Sequence, residues 1–367
     1  MNHRLFYFPD YRVANPYQTL LYTHTAPELH PAPATVAEAL TARERQGPTE
    51  GMVFHLHWEE AAYRNEADEP AARAAAQAFV DGLELLVDSG AMLLWTLHNT
   101  QPHDGRYPEI HRAVAAALAR LADLVHVHGT PGIEWARDRL GIEPRRLILV
   151  PHGNYLPLYR LPGTLQAASR AELGIPPEAS TLLLFGRLDS YKGGAELLAA
   201  LRDLAASELW LIVAGKQVTP LHEQLALLPD AVRGRIVVRE GFVADEAIPP
   251  LFHAADALVA PYRRILGSGA AMLALSLARP VLAPAFAGIE ELVRDGREAL
   301  LWPPEAADGL ATTLQRFQAL DQERLQAMQR AALARAELHD WAISGNLLGG
   351  AITRLLQLRR PMRRLSR

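Results

Sequence analysis

Cysteine is absent from all 367 residues. That absence excludes disulfides, thiolate nucleophiles and Cys-ligated metals, and it fits a reducing cytoplasm. No apolar run reaches the ~18–20 residues of a membrane span. A strong charge of one sign is also missing: the net charge is −4, from 37 basic and 41 acidic residues, so nothing points to nucleic acid as a partner. The opening segment Met1-Asn2-His3-Arg4-Leu5-Phe6-Tyr7-Phe8-Pro9 has one arginine and a short apolar stretch, which reads as a first strand and not as a signal peptide.

What is present is a soluble globular composition, 49% hydrophobic and 21% charged, long enough for two cores. Short apolar runs alternate with helical patterns. The predicted strands are Leu5–Phe8, Met52–His57, Met92–His98, Leu124–His128 and Leu147–Pro151 in the first half. In the second they are Leu182–Phe185, Leu209–Ala214, Arg235–Val238, Ala257–Ala260 and Pro280–Ala283. Segments such as Glu69–Ser89, Pro108–Ala122 and Gly194–Ala206 carry helical spacing. This alternation predicts an α/β protein with two doubly wound parallel sheets of about five strands each. The segment Asn154–Arg170, with two prolines, a glycine and no period, reads as the linker.

One turn stands out. The run Leu182–Phe185 ends in Gly186-Arg187, Lys192-Gly193-Gly194 follows, and a helical pattern begins at once. A buried strand thus delivers two cations and several glycines to a helix start, a place suited to a diphosphate. Polar residues also gather at other predicted strand ends, where doubly wound sheets bind ligands: His55, His57, His98, Asn99, His126, His128, His152, Gly215, Lys216 and Tyr262.

Several pieces, in order, resemble glycosyltransferases of the GT-B fold, especially the family 4-like group. They are Val150-Pro151-His152-Gly153-Asn154, Phe185-Gly186-Arg187-Leu188 with Lys192-Gly193, Val213-Ala214-Gly215-Lys216, Gly241-Phe242-Val243 with Ala254-Ala255-Asp256, Ala278-Arg279-Pro280-Val281 and Gly288-Ile289-Glu290-Glu291. The resemblance implies two Rossmann-like domains facing across a cleft. Residues 1–157 would bind the acceptor, 158–340 the nucleotide sugar, and 341–367 would form a last helix and tail. In one respect the chain departs from the family. The two glutamates that usually stand before the Lys-Pro-Val segment are replaced by Ile265 and Leu273, so donor contacts are rearranged and a retaining outcome is not implied. The Ser268-Gly269 loop is more similar to the mannosyltransferases of bacterial exopolysaccharide assembly.

The resemblance assigns expected roles. Gly186, Arg187, Lys192, Gly215, Ser268, Gly269, Glu290 and Glu291 would hold the donor, with Arg187 and Lys192 neutralising the leaving diphosphate. Glu291 is expected at a helix start. His98, at the end of a predicted strand, and Asp104 compete as the base that would take the acceptor proton in an inverting reaction. Asn15, His57, Trp58 and Asn99 are expected acceptor contacts. Alternating histidines, His55/His57 and His126/His128, invite a zinc reading, but no further ligand stands at helical spacing, so no metal or other cofactor is expected.

The implied function is transfer of a hexose from GDP-mannose or a UDP-hexose to a glycan or polyprenyl-diphosphate-linked acceptor. A sugar-nucleotide epimerase, a phosphorylase and a non-catalytic partner subunit on the same fold remain open. Six arginines in the last fourteen residues, interleaved with apolar ones, suggest a cytoplasmic protein touching the anionic inner face of a membrane, or else a solvated helix end.

Overall fold

The structure is a computed structural model that describes residues 3–46, 51–102, 105–159, 166–204, 208–216 and 221–358. Asp104 and the arginine-rich segment after Leu358 lie outside the described residues. The chain divides into two compact units, one comprising Met1–Gly153 and Asp340–Arg367, the other Asn154–His339.

The first unit holds six parallel strands: β1 (Arg4–Phe8), β2 (Pro31–Pro33), β3 (Met52–Leu56), β4 (Met92–Thr96), β5 (Leu124–Val127) and β6 (Leu147–Leu149), in the order β2-β1-β3-β4-β5-β6. β3 and β4 are buried along their whole length. That is why they read as unbroken apolar runs: a central parallel strand is covered on both faces. The covering helix Glu69–Asp88 shows the spacing that buries one stripe, with Ala72, Ala76, Phe79, Val80, Leu83 and Leu86 inside, and the Asp68 side chain accepting from Ala71 N at its start.

The second unit holds β7 (Thr181–Phe185), β8 (Trp210–Gly215), β9 (Ile236–Glu240), β10 (Ala257–Val259), β11 (Val281–Pro284) and β12 (Ala299–Trp302), again all parallel, in the order β12-β11-β10-β7-β8-β9. Its core joins Leu182, Leu184, Leu211, Val213, Val259 and Leu282 of the strands to Leu197, Leu201, Leu314 and Phe317 of the helices.

Three sequence expectations are corrected. Each sheet has six strands and not five, because β2 and β12 are not among the predicted ones. β2 is the three-residue edge strand Pro-Ala-Pro, a position where prolines are tolerated. Strands β3, β4 and β5 stop at Leu56, Thr96 and Val127, so His57, His98 and His128 stand just beyond them on the carboxyl-end rim. The supposed linker is partly ordered into the second unit. Asn154 donates to Ala336 O at 3.0 Å, Tyr155 N donates to Ser276 Oγ at 2.9 Å, and the helix Gln166–Leu173 carries a buried Arg170 paired with Asp256 at 2.8 Å.

Candidate active site

In the second unit the chain reverses direction between β7 and β10, the position where open α/β sheets bind ligands. The loops leaving those two strands are stitched together: Arg263 N donates to Tyr191 O at 2.8 Å. At Gly193, with φ of 71°, an added Cβ would stand 1.9 Å from the Pro261 carbonyl oxygen. Only glycine fits such an approach.

Lys192 lies under this junction, only 8% exposed. Its ammonium donates to Phe185 O at 3.3 Å and lies 5.3 Å from the centre of the Tyr262 ring. Burial alone would lower its pKa, but Tyr262, Tyr191 and Asp189 outweigh that and raise it, so the ammonium keeps its proton. Arg187 Nε stands 2.9 Å from the buried Asp189 carboxylate, which orients the guanidinium. The Tyr262 hydroxyl is 2.7 Å from Ser268 Oγ, and Ser268 caps the helix Gly269–Ser276 by accepting from Ala271 N at 3.0 Å. Lys192, Ser268 and Gly269 are therefore linked through Tyr262, and Arg187 joins them through Asp189, whose carbonyl accepts from Lys192 N at 2.9 Å. Gly215 joins them from β8: its φ is 139°, and a Cβ there would meet the Gly186 carbonyl at 1.9 Å.

Glu290 and Glu291 are exposed. Glu291 does not begin a helix, as expected, but follows the four-residue turn Ala287–Glu290 as its C-terminal cap. A helix-dipole role at an N-terminus is thereby removed. The turn is held against the Leu266 carbonyl, which a Cβ on Gly288 would meet at 1.8 Å. Leu273, one of the residues replacing the family's glutamates, is buried in the helix.

The first unit reverses direction between β1 and β3, and the loops there carry a cluster of histidines and aromatics. The rings of His57, Trp58, His98, His128, His152 and Trp341 all lie within 6 Å of the Tyr17 ring centre. His98 is stacked on Trp58. Burial, reinforced by the neighbouring imidazoles, pushes His55, His57 and His128 well below the usual histidine pKa. Burial lowers His126 to about 4. These rings are neutral at physiological pH, and they pair with one another and with Tyr17, Tyr22 and Thr96.

His57 is fully buried with both ring nitrogens engaged, so it is corrected from an acceptor contact to a partner of His98. Trp58, His98 and Asn99 are partly exposed. The Asn15 carboxamide accepts from Tyr17 N at 3.0 Å, just ahead of the helix Tyr17–Thr23. Among the described residues no group of three or more His, Asp or Glu side chains is arranged to hold a metal ion, and no helix is long and apolar enough to cross a membrane. Sequence reasoning reached the Asn15-Pro16-Tyr17 segment but missed Tyr22 and the central place of the Tyr17 ring. The available signal was their place on the first helix after β1, the element that a doubly wound sheet brings to its ligand rim.

The sequence profile described as "Glycosyl transferases group 1" matches residues 179–319. The GDP-mannose:glycolipid 4-beta-D-mannosyltransferase of Xanthomonas campestris pv. campestris is 30% identical over 274 residues, covering 74% of this chain and 70% of the relative. Among solved structures, the Anabaena protein HepE in complex with UDP-glucose is similar with a TM-score of 0.70 at 18% identity, covering 97% of this chain and all of that one. The sucrose-phosphate synthase of Thermosynechococcus elongatus is similar with a TM-score of 0.69 at 18% identity, covering 98% and 100%. The fold is GT-B, and the chain belongs to the group 1, family 4-like glycosyltransferases. It is an enzyme of the glycosyltransferase class.

Proposed function

We propose that this enzyme transfers a mannosyl group from GDP-mannose to a glycolipid acceptor, with inversion at the anomeric carbon. The observation that carries the reading is His98: a partly exposed imidazole on the carboxyl-end rim of β4, stacked on Trp58 and backed by neutral histidines. The donor and acceptor class is supported by the mannosyltransferase relative. Passing from an α-linked nucleotide sugar to a β-linked product inverts C1 and needs one general base.

In this reading His98 takes the acceptor hydroxyl proton as that oxygen bonds to C1. The bond from C1 to the diphosphate oxygen breaks, and Arg187 and Lys192 receive the charge on the leaving GDP. Gly186 and Gly215 let backbone approach the donor, Ser268 and Gly269 offer backbone N–H groups to phosphate, and Glu290 or Glu291 meets the donor sugar or ribose. No step calls for a metal, so full activity in EDTA is expected. Trp58 and Asn99 line the acceptor side. Asp104 remains the competing base.

UDP-glucose, the ligand in the HepE complex, is the competing donor. A thermal-shift comparison of GDP, UDP and their sugar conjugates tests the choice. A ligand at ~100 times its Kd stabilises by about 2.7 kcal/mol, so a shift with GDP-mannose and none with UDP-hexoses is expected. A shift with UDP alone overturns the donor, and no shift with any favours a non-catalytic subunit. The arginine-rich end supports peripheral binding to anionic membrane at the cytoplasmic face. Liposome co-sedimentation that is unchanged when residues 359–367 are deleted removes that part.

A further inference from the structure

A continuous line of hydrogen bonds runs through the first unit, and its direction is set at one end. The Val150 carbonyl can only accept. His126 therefore donates to it through Nε2 at 3.0 Å, and a neutral imidazole has one ring proton, so His126 Nδ1 must accept. Its partner is Thr96 Oγ1 at 2.9 Å, which uses its only proton there. Thr96 then accepts from His55 Nε2 at 2.7 Å. His55 Nδ1 accepts from the Tyr22 hydroxyl at 2.7 Å, and the Tyr22 oxygen accepts from His57 Nε2 at 2.8 Å. His57 Nδ1 is left to accept from His98 Nε2 at 3.2 Å.

We propose that this relay fixes His98 as its Nε2–H tautomer, so that proton uptake falls on Nδ1, and that His57, Tyr22, His55, Thr96 and His126 are positioning residues for His98. The proposal rests on reading His98 as the base and adds what sets its proton. His55, His57, Thr96 and His126 are 0% exposed, so bulk water does not re-choose the tautomer of each ring. Burial also keeps the imidazoles neutral and the Tyr22 phenol protonated, the states in which every link has one donor and one acceptor. A side branch shares the anchor: His128 Nδ1 donates to Val150 O at 3.1 Å and so accepts from the Tyr17 hydroxyl through Nε2 at 3.3 Å.

The chain explains why one distant hydroxyl matters. Without the Tyr22 oxygen, the His57 Nε2–H loses its acceptor. His57 then moves its proton to Nδ1, and His98 Nε2 must accept instead of donate. A base held in the wrong tautomer loses most of its effect.

The test is ¹⁵N-histidine NMR of the full chain, with the His98 signals assigned through His98→Ala. In the wild type His98 is expected as Nε2–H. Tyr22→Phe and Thr96→Val, both close in shape, are expected to move it to Nδ1–H or a mixture, while Thr96→Ser keeps it. In Tyr22→Phe, kcat is expected to fall about 10–100-fold with donor KM unchanged, a fraction of what a positioned base contributes. A wild-type Nδ1–H tautomer, or one unmoved in both Tyr22→Phe and Thr96→Val, overturns the relay. A moved tautomer with unchanged kcat overturns the base assignment of His98 and leaves the tautomer order standing.

Discussion

The imidazole of His98 lies nearly parallel to the indole of Trp58, with 4.2 Å between ring centres and 11° between planes. The stack leaves His98 few ways to turn, and it ties the proposed base to the aromatic surface on which a sugar would rest. Such a pair contributes about 0.5–1.5 kcal/mol beyond its buried area.

Two substitutions separate these tasks. His98→Ala is expected to lower kcat by about 10²–10⁴ while GDP affinity, measured by calorimetry, stays at the wild-type value. Trp58→Leu should lower the melting temperature slightly and raise acceptor KM. A His98→Ala enzyme with wild-type kcat removes the base assignment.

Loss of either donor-side cation should act on kcat and on nucleotide affinity together. Arg187→Ala and Lys192→Ala are each expected to cost about 3–4 kcal/mol of transition-state stabilisation, as for one preorganised donor. Lys192→Arg should not restore activity, because the socket of the Phe185 carbonyl and the Tyr262 ring holds a point charge and not a planar fork. Steady-state rates and GDP affinity check this directly. Only two lysines occur in the whole chain, Lys192 and Lys216.

Stability should peak near pH 7, where the protons bound by the unfolded histidines and by native Glu59 balance. An unfolded histidine titrates near 6.5. The buried His55, His57, His126 and His128 titrate lower, so the unfolded chain binds more protons as pH falls. Their contribution is complete well above 6.5 and is lost as pH falls from there through the folded values, about 4 for His126. Glu59 runs the other way. Burial, and then the charge of Glu60, push it up to about 8, so its contribution is present below about 4.5 and lost as pH rises through 8. Melting temperatures across pH 4–9 should fall steeply on the acid side and gently on the alkaline side. Glu59→Gln should flatten the alkaline limb.

Two glycines should respond oppositely to alanine. Gly215→Ala puts a Cβ 1.9 Å from the Gly186 carbonyl at a φ of 139°, and should destabilise by about 1–3 kcal/mol and weaken nucleotide binding. Gly350, inside the helix Trp341–Leu358, has nothing within 4 Å of an added Cβ. Gly350→Ala should stabilise by about 0.5–1 kcal/mol. Urea denaturation distinguishes the two.

The turn that carries Arg187 and Lys192 was legible in the sequence because its residue types carry their own meaning. A Gly-Arg after an apolar run and a Lys-Gly before a helical pattern need no partner elsewhere to be noticed. The strand alternation was legible for the same reason, except at Pro31–Pro33, where the prolines break the pattern, and at Ala299–Trp302. The histidine relay was not legible, because it depends on register. Thr96 stands beside His126 across β4 and β5. Tyr22 reaches two histidines from a helix whose packing no local spacing encodes.

The first unit is discontinuous in sequence, and its last helix is structural: Trp341 is buried, and its indole occupies the space a side chain at Gly153 would need. Gly345 and Gly349 press the same helix against His24 and Ala26. During synthesis, residues 1–153 therefore emerge without the piece that closes their core, whereas Asn154–His339 is contiguous and can fold as soon as it leaves the ribosome. The unit made first is finished last, and truncation before Trp341 should leave it open to proteolysis while the contiguous unit Asn154–His339 stands intact.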